Sequence, residues 1–209
     1  MIYKINKITH PKLKQVYTSS MEELSQFFQI NWKFNRPHII LVPNRKTIDS
    51  LKGRKTEDWV VGWASNGNVY LLEDKNFEKE SNHKYSNEKY FALIKHELAH
   101  CFSNIISNFS KKPVWLLEGI SIYLSGQNNL KTKPKKFEKF IGFFDKSGKE
   151  VYSESGFAVM FLVKKYGKEK LLTLLKESKK SESQESFSNL FKSIYGFELS
   201  YANFEASEI

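Results

Sequence analysis

The chain of 209 residues has little of several things that mark particular classes of protein. Its one cysteine, Cys101, allows no disulfide within the chain, which excludes a disulfide-stabilised domain and favours the reducing cytoplasm. No stretch approaches the roughly twenty apolar residues of a membrane-spanning helix. The N-terminus carries Lys4 and Lys7 and lacks the apolar run of a secretory signal, so we expect no such signal.

Arginine is also scarce, although the formal net charge is +10. Of the 33 basic residues only Arg36, Arg45 and Arg54 are arginines, and the rest are lysines. Specific reading of bases and bidentate binding of phosphate favour arginine. Lysines spread along helices usually form a solvated face, so a nucleic acid or another anionic partner is kept only as an alternative.

The most informative feature that is present is the pentapeptide His96-Glu97-Leu98-Ala99-His100. On a helix, His96 and His100 lie one turn apart on the same face, so both imidazoles can bind one Zn²⁺. Glu97 lies at the same rim, where a water-activating base is needed. The pattern arises by chance in roughly one chain of this kind per hundred, so it requires independent support.

The residues around the pentapeptide predict a helix. Either Ser86 or Asn87 suits its N-cap. An apolar stripe at helical spacing continues through the motif and predicts the buried face, with the two histidines beside it. The stripe consists of Ile94, Leu98, Phe102 and Ile105.

A second segment supplies that support. Residues 113–126 predict a short apolar helix, because Pro113 suits its first position and Gly126 its C-terminal end. Glu118 would complete a two-histidine, one-glutamate site and leave the fourth zinc position to water, as in catalytic zinc sites. The alternative is a solvent-facing Glu118 favoured by the helix dipole. Gly119 predicts a close approach of this helix to the helix that carries His96 and His100.

Together, His-Glu-Leu-Ala-His and Trp-Leu-Leu-Glu-Gly resemble the gluzincin metallopeptidases, in particular the peptidase MA-like branch related to the aminopeptidase N catalytic domain. The resemblance covers about residues 38–200. It implies an α+β zincin (thermolysin-like) fold, with a small mixed β-sheet and the metal-binding helix in an upper lobe and helices in a lower lobe. Composition is consistent with a single domain over residues 1–209, with lobes of about 1–110 and 111–209.

The resemblance implies a zinc peptidase that binds one Zn²⁺ per chain and acts on peptide or protein substrates. His96, His100 and Glu118 are the expected ligands and Glu97 the general base. Tyr152, which precedes a late helix, is the expected donor to the oxyanion, and Tyr123 is the alternative. A catalytically weak or inactive zincin-fold interaction protein is the competing function.

One family motif is missing, because no Gly-x-Met-Glu-Asn run occurs in the chain. That run reads the free amine of an aminopeptidase substrate, so an endopeptidase is favoured. An extended substrate would then pair with an edge strand above the metal helix. Residues 68–72 are the expected edge strand, after a turn at Asn66 and Gly67.

The remaining elements are predicted from hydrophobic periodicity and from helix start and stop signals. Polar stretches at 74–86 and 131–136 predict surface loops. Helices are also expected at 20–30, 47–51, 168–176 and 185–195. The resemblance, rather than periodicity, implies that 38–42, with 59–64 between it and 68–72, belongs to the small sheet, and that a late helix entered after a tyrosine lies within 152–167.

Overall fold

The computed structural model describes residues 5–206 and has a mixed α+β architecture. Within that range it contains seven α-helices and one three-stranded sheet. The helices are α1 Pro11–Phe28, α2 Arg45–Lys52, α3 Asn87–Ile106, α4 Val114–Leu124, α5 Val151–Tyr166, α6 Lys168–Glu177 and α7 Gln184–Tyr195. The strands are β1 Ile39–Val42, β2 Gly62–Ser65 and β3 Asn68–Leu72.

The sheet has the order β1-β3-β2, so β3 is its central strand. It pairs in parallel with β1 and antiparallel with β2. The prediction that residues 68–72 form the edge is therefore wrong, and β2 is the edge strand on the side of α3. The expected turn is present, since Asn66 and Gly67 both have positive φ, as a two-residue hairpin requires.

The helix α3 passes through the middle of the fold, in contact with α1, α4 and the sheet. Ser86 is its N-cap, since its hydroxyl accepts a hydrogen bond from the backbone N–H of Lys89. Most of the predicted apolar stripe is fully buried, but Ile105 is 41% exposed and Ile106 packs on the core instead.

The helices α4 and α5 pack against each other at two glycines. A β-carbon on Gly119 would lie 2.6 Å from the carbonyl oxygen of Ser155, and one on Gly156 would lie 2.2 Å from Ile122 Cγ2. The close approach at Gly119 is therefore to α5, and not to α3 as the sequence predicts. The helix α4 starts one residue later than predicted, because Pro113 has an extended backbone and forms the N-cap.

The other helices agree with prediction to within two residues, except at the N-terminus and at Tyr152, which lies in the first turn of α5 instead of preceding it. The helix α1 begins at Pro11, well before residue 20, because a side-chain nitrogen of His10 caps it and Pro11 occupies the first helical turn. The helix α7 ends at Gly196, which has a φ of 85° as expected of a helix stop. No helix between residues 5 and 206 is long and apolar enough to cross a membrane.

Candidate metal centre

Three potential ligand atoms converge between α3 and α4. The Nε2 atoms of His96 and His100 are 3.1 Å apart, and Glu118 Oε2 lies 3.4 Å from the first and 3.5 Å from the second. A tetrahedral Zn²⁺ with ligand bonds of 2.0–2.1 Å holds its ligand atoms about 3.3 Å apart. These three residues, called here the metal-ligand group, therefore have the spacing of a zinc site.

The sequence around Glu118 explains how α4 delivers this carboxylate. Trp115 is buried and packs edge-on against Phe140, with ring centroids 4.9 Å apart, so it anchors the first turn of the helix. The backbone N–H groups of Val114 and Trp115 donate to the carbonyls of Phe144 and Phe143. These bonds satisfy donors that a helix start leaves open and fix the helix one turn before Glu118.

One oxygen of the metal-ligand group lacks a hydrogen-bond partner, and a bound cation would take the place of one. Glu118 Oε2 is buried and makes no hydrogen bond of acceptable geometry, although both imidazoles are within ion-pair distance. Buried polar atoms are normally satisfied, so this orphaned oxygen fits a metal ligand. His96 Nδ1 is likewise buried without a hydrogen-bond partner among residues 5–206.

Within the metal-ligand group, the carboxylate of Glu118 and the imidazole of His100 change one another's pKa values. Burial alone would raise the pKa of Glu118, but its interactions with His100 and then His96 outweigh burial and lower it. Burial would lower the pKa of His100, but the nearby carboxylate of Glu118 raises it above the ordinary 6.5. Without a metal, the group therefore favours a carboxylate beside a protonated imidazole.

Glu97 lies beside the group without belonging to it. Its carboxylate is buried, and burial raises its pKa, while His96 and His100 act in the opposite direction. The first residue of β2 adjoins it, since a β-carbon on Gly62 would lie 3.4 Å from Glu97 Oε1, an ordinary contact distance. A carboxylate with a raised pKa is suited to accept a proton near neutral pH.

A pocket of about 620 Å³ opens beside Glu97. His96, Glu97 and Tyr152 line it, together with the segment 59–62 that leads into β2. Tyr123 is not among the lining residues, and its ring packs against Phe27, with centroids 6.5 Å apart. Of the two tyrosines considered from sequence, the structure brings Tyr152 to the pocket and leaves Tyr123 in a packing position.

The tyrosine in the pocket is held as a neutral phenol. Burial, followed by the charges of Glu118 and Glu97, raises the pKa of Tyr152, and a hydrogen bond with Ser147 opposes the rise only in part. Its ring also contacts Trp59 edge-on, with centroids 6.3 Å apart. A neutral phenol retains its O–H and can donate a hydrogen bond to an oxygen in the pocket.

Lys131 lies in the polar stretch 131–136, which predicts a surface loop and does not mark this residue as part of a pocket. Its side chain lines the pocket, and Nζ donates a hydrogen bond of 3.0 Å to the backbone carbonyl of Tyr152. Burial lowers the pKa of Lys131 to about 8, and Glu118 opposes that change. No local signal could have found it, because the short helical turn Gln127–Leu130 after α4 determines where it lies.

The remaining histidines stand outside the metal-ligand group. His10 caps α1, His38 contacts Asn68, and His83 lies at the pocket wall against the carbonyl of Trp59. Between residues 5 and 206 the metal-ligand group is the only set of three or more clustered potential ligands. Comparison of the chain with models of known protein families, with curated proteins and with solved structures found no match.

Proposed function

We propose that this protein is a zinc-dependent peptidase of the gluzincin type with a zincin fold. The observation that carries the proposal is the zinc-like spacing of His96, His100 and Glu118 beside the buried carboxylate of Glu97. Three protein ligands leave one tetrahedral position for water, which distinguishes a catalytic site from a closed structural one. The proposal extends to one zinc per chain and to peptide or protein substrates.

The chain's own residues divide the work of hydrolysis. Bound zinc would polarise the scissile carbonyl and acidify a water molecule. Glu97 accepts the proton of that water and later donates it to the leaving amine. Tyr152 donates its phenolic hydrogen to the developing oxyanion, as its position in the pocket and its raised pKa allow.

The position of β2 favours an extended substrate. Its first residue, Gly62, lines the pocket, and the strand lies at the edge of the sheet on the side of α3. A peptide could therefore add to this edge through backbone hydrogen bonds and place a carbonyl near Glu97. Backbone pairing needs no free terminus, so we propose an endopeptidase.

The test compares two glutamate substitutions on the same helix. Glu97→Gln should retain about one zinc per chain by elemental analysis and lose about a thousandfold in hydrolysis of an unfolded protein substrate. Glu88→Gln, in the exposed first turn of α3, should keep both zinc and activity.

Two results would contradict the proposal. Equal activity of wild type and Glu97→Gln would remove the general-base role. Absence of zinc after purification without chelator would remove the site itself. If the wild type binds zinc but hydrolyses no substrate, the alternative is favoured, a catalytically inactive interaction protein with a zincin-type fold.

A further inference from the structure

The pocket is lined by basic residues more than by acidic ones. Lys84, Lys89, Lys131 and Lys149 are among its lining residues, whereas Glu97 is the one carboxylate that lines it. Two neutral imidazoles and one carboxylate around Zn²⁺ would add a further net positive charge. A substrate that enters this pocket therefore meets a field that favours anions.

Lys131 is the member of this set that the structure places deepest. It is partly buried, and its ammonium spends one of three hydrogen-bond donors on the carbonyl of Tyr152. Its Nζ lies 5.9 Å from the ring centroid of Tyr152. Among residues 5–206 no carboxylate lies within ion-pair distance of Nζ, and Glu118 acts on this partly buried cation only from beyond that distance.

A purely structural role would be to hold Tyr152 through its carbonyl. That role needs one neutral donor and does not account for a cation without an anionic partner in a pocket. A carboxylate from a ligand would supply the missing partner through charge-assisted hydrogen bonds. The other three lysines that line the pocket are more exposed to solvent, and they would attract the same anion.

We propose that Lys131 is a specificity residue that binds a substrate carboxylate, so that the protein prefers acidic peptides. The inference rests on the proposed peptidase function and names its substrate class. The carboxylate has two possible sources, an Asp or Glu side chain near the scissile bond and the C-terminal carboxylate of a short peptide.

The first experiment profiles cleavage of a proteome-derived peptide mixture by the zinc-loaded protein. Asp and Glu should be enriched near the cleaved bonds for the wild type and for Lys131→Arg. Lys131→Met should lose the enrichment, whereas the matched control Lys164→Met, an exposed position on α5 outside the pocket, should keep it. Cleavage without acidic enrichment in the wild type would overturn the inference and leave the peptidase proposal intact.

Matched peptides then identify the source of the carboxylate. A cleaved peptide is resynthesised with Glu replaced by Gln, and separately with an amidated C-terminus. The substitution that removes the recognised carboxylate should lower kcat/KM about tenfold or more for the wild type and have little effect for Lys131→Met. If neither substitution changes kcat/KM, Lys131 does not bind a carboxylate.

A binding selection keeps the inference testable if hydrolysis is absent. Immobilised Glu97→Gln protein, loaded with zinc, is offered a random peptide library, and so is Glu97→Gln/Lys131→Met. Acidic peptides recovered only by the first would support the inference even if the peptidase proposal fails. Recovery of no peptides, or of peptides without acidic enrichment, would overturn the inference. It would also be overturned if oligouridylate bound more tightly and displaced the acidic peptides.

Folding of the variants is checked separately. Lys131→Met and Lys131→Arg should both show cooperative thermal unfolding, so that a lost preference in the first is not a loss of structure. Retained acidic preference in a folded Lys131→Met protein would assign the preference to other residues and overturn the role of Lys131.

Discussion

Gly119 and Ser155 hold α4 and α5 in direct backbone contact, since a β-carbon on Gly119 would lie 2.6 Å from the Ser155 carbonyl oxygen. Glu118 is the neighbour of Gly119, so this contact also helps to position the carboxylate of Glu118. The obstructing atom belongs to the backbone and cannot turn away as the end of a flexible side chain could. Stability and ligand position are therefore coupled at this glycine.

Gly119→Ala should destabilise the protein and weaken metal binding together. Overpacking of this kind costs about 3 kcal/mol, and the gain in helix propensity from alanine returns about 1 kcal/mol. We expect a net loss of about 2 kcal/mol in urea unfolding and a lower affinity in a zinc titration. Gly142→Ala is the control, because a β-carbon there meets no atom within 4 Å. Unchanged stability of Gly119→Ala would contradict the packing argument.

Zinc affinity should fall as the pH is lowered through the raised pKa of His100. The nearby carboxylate of Glu118 raises that pKa above 6.5 in the metal-free protein, and zinc binds only the neutral imidazole. Below the raised pKa each zinc must displace a proton, so affinity should drop about tenfold per pH unit. Competition with a chelator across this range measures it, and a flat profile would contradict the proposed coupling.

The same coupling can be observed without zinc. In the metal-free protein, NMR titration should give His100 a pKa above 6.5, and Glu118→Gln should lower it because burial is then opposed only by the weaker effect of Glu97. Glu88→Gln, in the exposed first turn of α3, is the control and should leave the pKa of His100 as it is in the wild type.

Tyr152→Phe should slow hydrolysis without removing zinc. Loss of one donor to an oxyanion typically lowers kcat by about a hundredfold or more, with little change in KM. Tyr123→Phe carries the same change on α4, outside the pocket, and should leave kcat near the wild-type value. The reverse pattern, a slow Tyr123→Phe and an unaffected Tyr152→Phe, would exchange the two assignments.

Sequence alone could locate most of the site because its signals are local. The spacing of His96 and His100 depends only on helical periodicity, and the helix itself is marked by the cap at Ser86. The short apolar helix that carries Glu118 is likewise marked by local signals, Pro113 at its start and Gly126 at its end. Convergence of the three side chains followed from one short connection between two helices.

Non-local pairing and packing could not be predicted in this way. Residues 68–72 have the alternation of a strand, but their pattern does not say whether one side or both sides are paired, and both are. Lys131 is one of many lysines in polar sequence, and only the turn after α4 places its side chain in the pocket. In the sequence, Arg45 is only one of three arginines in a basic chain.

Arg45 in fact organises the segment that leads to the pocket wall. Its guanidinium donates to several backbone carbonyls and to one hydroxyl, a geometry that suits the planar fork of arginine. The acceptors are the carbonyls of Glu57, Asp58, Val60 and Glu80 and the hydroxyl of Thr56. Trp59 and Val60, which line the pocket, lie within this bonded segment.

Arg45→Lys should therefore loosen the wall of the pocket while keeping the charge. An ammonium cannot reach so many acceptors at once, and leaving partly buried carbonyls unsatisfied should cost about 2–3 kcal/mol in urea unfolding. Hydrogen exchange should become faster over residues 56–62, with much less change in α3. The control is Arg54→Lys, because that side chain is exposed and its pair with Glu57 contributes little. Equal exchange in the two variants would mean that the segment is held by its other contacts.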